Sequence, residues 1–148
     1  MANQSYVISA TTLPTSFQFI SSGSSGEYHH YIQYMAATEI QNRTVFNLAF
    51  GPLDEHGQID DSIETNNKDV DLVLTSVAKS AEKFLSSFPS AIIGFYGSED
   101  ARHRLYRQKI TANLPLLETR FHLLGQINGA IEKFVPNRDY QVYYAMKK

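Results

Sequence analysis

From Asp69 to Phe88 the apolar residues recur with a helical period. At about 100° per residue, Val70, Val73, Leu74, Val77, Ala78, Ala81, Phe84, Leu85 and Phe88 share one arc. Asp71, Thr75, Ser76, Lys79, Glu82, Lys83 and Ser86 take the other. Asn67 can cap the start, Asp69 suits the first turn and Pro89 closes the end. A helix with so broad an apolar stripe must bury it against another layer, and the flanking sequence reads as a sheet.

Ahead of the helix, "SYVIS", "SFQFISS", "EYHHYIQYMAATEI" and "VFNLAFG" read as strands. "SGSSG" (22–26) and "NRT" (42–44) separate them as turns. After it, "AIIGFYG" (91–97) is a near-continuous apolar run, as in a strand covered on both faces. A second helix opens near Ser98, and Pro115 suits the first turn of a short third one. Asn128-Gly129 supplies the positive φ values of a tight hairpin turn, and "YQVYYAMKK" is a last strand. In that strand Tyr140 and Tyr143 fall on opposite faces, so one tyrosine there is expected in solvent.

This order predicts an α+β fold in a single domain, residues 1–148. It has an antiparallel or mixed sheet of six to eight strands and two principal helices. An RNase-H-like layout, three antiparallel strands followed by alternating helix and strand, is the alternative.

Without cysteine the chain has no disulfide framework, thiolate metal site or cysteine nucleophile. "MANQSYVISATT" lacks the features of a signal peptide, and no apolar run approaches the ~18 residues of a membrane span. A cytoplasmic location away from membranes is expected. The net charge of −2 confines any polyanion site to a local patch.

The stretch "YGSEDARHRLYRQKI" (96–110) is the place for such a patch. Arg104 and Arg107 fall on its outer face, and Ser98 stands at the helix N-terminus, where free N–H groups favour phosphate. Arg102 falls between Leu105 and Tyr106 on the inner face. A guanidinium there keeps its charge, so it calls for a carboxylate from Asp54, Asp60, Asp61 or Asp69. Asp54, Asp60 and Asp61 lie in the acidic stretch 51–68, which reads as a long solvated loop. Its spacing matches no calcium-loop pattern, and neither a metal nor a cofactor is expected. His56 and His103 are the candidate acid–base pair, with Arg107 to stabilise a phosphorane.

"NLAFG" (47–51), "NNKD" (66–69) and "GSEDARHRLYRQKI" (97–110) carry a resemblance. The chain resembles, from about Phe17 to its terminal lysines, an uncharacterised family of small bacterial proteins. That family runs Asn-Leu-Ala-Phe-Gly-Asp, Asn-Asn-Gly-Asp and Gly-Ser-Thr-x-Ala-Arg-Thr-Arg-Leu-Tyr-Arg. Pro52, Lys68, Glu99 and His103 depart from it. The resemblance implies a bacterial, cytoplasmic protein and brings no activity or ligand.

The residues point first to a non-enzymatic binding module. Its basic helix face would meet RNA or an acidic protein, and the chain is a candidate homodimer. A small metal-independent ribonuclease and a structural partner in a protein complex are the alternatives.

Overall fold

A computed structural model describes residues 5–11, 15–24, 26–60, 69–97 and 100–148. Among the described residues eight strands form one open mixed sheet: β1 (Ser9–Ala10), β2 (Ser16–Gly23), β3 (Gly26–Ile40), β4 (Arg43–Pro52), β5 (Ile92–Phe95), β6 (Phe121–Ile127), β7 (Ala130–Lys133) and β8 (Val142–Lys147). Their order is β1-β2-β3-β4-β5-β8-β6-β7. Two long helices, α1 (Val70–Ser87) and α2 (Asp100–Ala112), and a short α3 (Leu114–Glu118) accompany it. The α+β expectation holds. Among the described residues no helix is long and apolar enough to cross a membrane.

Local chemistry sets the connections. Gln41 and Asn42 (φ 49° and 64°) turn β3 into β4, and Asn128 and Gly129 (φ 51° and 81°) turn β6 into β7. Both are two-residue turns whose positive φ matches the twist of paired strands. β4 and β5 are parallel, so α1 crosses between them. Their carboxyl ends therefore lie on the side where α1 and α2 begin. The acidic stretch is tighter than expected at its start: β4 runs on to Pro52, and a Leu53–Ile59 bridge closes a short turn. Residues 61–68 lie outside the described residues.

All three helices contribute to one core on the same face. Val73, Val77, Ala81, Phe84 and Leu85 of α1 meet Phe17, Ile32, Tyr34 and Ile93 of the sheet, with Tyr106 and Ile110 of α2 and Leu117 of α3. At its centre Phe84 stacks on Tyr34 at 4.3 Å between ring centroids and meets Phe46 edge-on at 4.9 Å. β5 is covered on both faces, as its apolar run requires: Ile93 joins this core, while Ile92 packs with Val45 and Tyr144 on the other side.

Three details depart from the periodicity. Thr75 and Ser76 are buried rather than on a polar arc. The segment before β1 reaches Ser76, where the backbone N–H of Tyr6 donates to its Oγ at 2.8 Å. Val70, assigned to the apolar arc, is exposed at the helix start. Tyr140, Tyr143 and Tyr144 are all buried, so none of them offers a stacking surface. Tyr140 precedes β8 and is freed from its alternation, and its ring lies over Gly125. A Cβ there would come within 2.3 Å of that ring. Its hydroxyl accepts the Val135 N–H at 3.0 Å and donates to Glu132 Oε2 at 2.9 Å.

His30, on the core face of β3, is 6% exposed and stacks on Phe19. Neither ring nitrogen has a hydrogen-bond partner among the described residues. Burial pushes its pKa below the ordinary 6.5, against the opposing pull of the Asp69 charge. Near pH 6.5 the unfolded chain takes up a proton that the folded chain resists. Stability is therefore full above that pH and falls as the pH drops through it. The urea midpoint is expected to be lower at about pH 5.5 than at about pH 7.5, and His30→Phe to narrow the gap. An equal gap in the variant would assign the acid sensitivity to other groups.

Candidate functional site

The first turns of α2 are held by His103. Its Nδ1 accepts the Gly97 N–H at 3.0 Å, so Nε2 carries the proton and donates it to the Tyr140 carbonyl. The ring also stacks on Tyr143 at 4.9 Å. One imidazole thus ties the exit of β5, the start of α2 and the entry to β8. Gly97 permits this close approach, since a Cβ would stand 2.3 Å from the His103 backbone nitrogen.

This bonding occupies both nitrogens that acid–base chemistry would need. His56 sits far out on the turn after β4, its side chain 79% exposed and 3.5 Å from Glu55. No hydrogen bond or ion pair joins the two histidines. Among the described residues no three of His, Asp or Glu gather where they could share a metal ion.

The arginines differ from one another. Arg104 is exposed and Arg102 half-buried, and neither has an ion pair among the described residues. Arg107 reaches Asp139 Oδ1 at 3.5 Å, and that aspartate side chain is 87% exposed. Beneath Arg107, burial pushes the Tyr143 phenol up to about 12, opposed by the arginine's charge. Ser98 lies outside the described residues.

Two of the four carboxylates expected to meet Arg102, Asp54 and Asp69, are engaged elsewhere. Asp54 Oδ1 accepts the backbone N–H groups of His56 and Gln58 at 2.8 and 2.9 Å, closing its own turn. Asp69 Oδ2 accepts the hydroxyls of Tyr6 and Ser21, each at 2.5 Å. The Asp60 backbone N–H bonds to the Pro52 carbonyl at 2.9 Å, and Asp61 lies outside the described residues. The inner-face cation of α2 that finds a carboxylate is Lys109, 2.7 Å from Asp71 on α1. Its hydrogen bond holds the Asp71 carboxyl below the usual range. Lys109 lies seven residues after Arg102, so the two share one side of the helix, and spacing alone does not say which of them α1 faces. The Tyr6–Ser21–Asp69 cluster also joins three distant segments, which no spacing announces.

What the surface of α2 can do follows from these placements. Two guanidinium groups one turn apart, one without an ion pair among the described residues and one loosely paired, can each offer a fork of donors to phosphate or carboxylate oxygens.

Neither a curated protein nor a solved structure matches the chain. One family model does, over residues 2–148. The chain belongs to that family, DUF6934, a family of unknown function.

Proposed function

We propose that this chain is a non-enzymatic binding module whose α2 face, Arg104 with Arg107, contacts the phosphates of RNA. The observation that carries the reading is the exposed guanidinium of Arg104, which has no ion pair among the described residues. Arg120 and Arg138 are paired with Glu82 and Glu132, while Arg104 stands exposed with no carboxylate among the described residues. The Arg107–Asp139 contact is long, at 3.5 Å, and its aspartate is exposed, so exchange of that carboxylate for a phosphate costs little, although Arg107 itself is half-buried. Asp100 in the first turn opposes anions at the helix end itself, which directs the contact to the outer face. In this reading the chain acts as a single domain in the bacterial cytoplasm, alone or as a homodimer, without metal or cofactor.

Fluorescence anisotropy of a short labelled single-stranded RNA, titrated at two salt concentrations, tests it. Binding is expected to weaken with salt and to fall in Arg104→Ala/Arg107→Ala. Each lost phosphate contact lowers the log–log salt slope by about 0.7, so the double variant should lose about 1.4. Equal binding by both proteins would remove α2 from the interface. No binding by either would favour an acidic protein partner. Cleaved RNA on a gel would point to a ribonuclease, whose acid and base would have to be sought away from His103.

A further inference from the structure

Between the helices and the sheet lies an apolar cavity of about 100 Å³. Leu74, Val77 and Ala81 of α1, Ile93 of β5, and Tyr106 and Ile110 of α2 supply much of its wall. None of the surface it exposes is polar. A space of this kind gives a polar molecule no partner and excludes water, whereas apolar cavities of about 150 Å³ take up benzene or xenon.

One polar group stands at its edge. Lys109 contributes to the wall, and its ammonium reaches out to Asp71 at 2.7 Å, across the gap between α2 and α1. The stem is apolar and the head charged, as is usual for a lysine beside apolar surface. The pair is partly exposed, with side-chain exposures of 28% and 51%, so parting it costs little. An ammonium has three donors, so Lys109 can hold Asp71 and still take a second carboxylate oxygen.

We propose that this cavity is a binding site for the alkyl end of a short aliphatic carboxylate, with Lys109 as the contact for its head group. The hydrocarbon fills a space that the chain's own side chains leave open. The carboxylate stays at the mouth, where Lys109 holds its partner Asp71 on the opposite helix.

The test is a methyl-detected NMR titration of the full chain with hexanoate and, as its uncharged twin, hexanol. Both are expected to shift the methyl signals of Leu74, Val77, Ile93 and Ile110, with hexanoate binding several-fold more tightly. Lys109→Met should abolish or reverse that preference while hexanol still binds. Ala78→Leu, at a half-buried position in the wall, should weaken both ligands at least tenfold. Ala81→Leu, deeper in the wall, serves as a second blocker if the first variant fails to fold. Shifts confined to other regions, no shifts, or equal affinity for the two ligands in the wild type would overturn the proposal. RNA binding through Arg104 can fail or succeed independently of each of these results.

Discussion

Phe84→Ala is expected to destabilise the fold by about 3–5 kcal/mol, the usual range for removing a buried phenylalanine. Phe84 has no exposed surface. Its ring stacks on Tyr34 at 4.3 Å, meets Phe46 edge-on at 4.9 Å and lies 5.1 Å from Phe88. Truncation removes the ring's burial and leaves a hole that rigid aromatic neighbours close only in part. It also uncovers the Tyr34–Ser80 hydrogen bond, whose two oxygens lie 2.7 Å apart beside the ring. Domains of this kind have only about 5–15 kcal/mol in hand, so the variant should sit near the edge of folding. Urea unfolding followed by circular dichroism reads the loss. Phe84→Leu should cost less, because it keeps much of the volume and gives up mainly the aromatic contacts, each about 0.5–1.5 kcal/mol. A wild-type urea midpoint in Phe84→Ala would mean that α1 does not dock as described.

Gly97→Ala is the second large effect, and it acts on the candidate site. The new methyl would meet the His103 backbone nitrogen at 2.3 Å, its Cα at 2.6 Å and the Arg102 carbonyl carbon at 2.9 Å. These are main-chain atoms, so no rotamer change relieves the clash, and α2 must shift away from β5. That shift breaks the Gly97–His103 hydrogen bond and with it the hold on the Tyr140 carbonyl. Overpacking together with the lost bonds should cost about 2–4 kcal/mol. The start of α2 carries Arg104, so RNA affinity should fall at a salt concentration where the protein remains folded. An unchanged urea midpoint would show that α2 moves freely at its start. Lower stability with unchanged RNA affinity would separate the His103 anchor from the arginine face.

Much of the architecture was legible because it is written in local periodicity. The α1 stripe, the doubly covered β5, the Asn128-Gly129 turn and the proline-started α3 each follow from a few neighbouring residues. The failures share one cause. Ser76 is buried where the segment around Tyr6, some seventy residues away, reaches it. Tyr140 turns inward because Gly125 on another strand leaves room for its ring. At the site, the outward placement of Arg104 was readable from the helical wheel. The role of His103 was not, since an imidazole between two backbone groups looks in sequence like one free for catalysis.

The sequence by itself determined that this chain makes two long helices and a strand-rich remainder in an α+β arrangement, and where the apolar stripe of α1 runs. Those properties depend on backbone propensity and hydrophobic spacing over a turn or two. Only the tertiary structure decided that Asp71 rather than Asp54 or Asp69 meets the inner cation of α2. It also decided that the cation is Lys109, and that Asp69 belongs to Tyr6 and Ser21. Ion pairs and hydrogen bonds act over a few ångströms, so their partners are set by where the crossover of α1 and the order of the strands place distant segments. The same placement left the cavity between sheet and helices, a property of how volumes meet and not of any one residue.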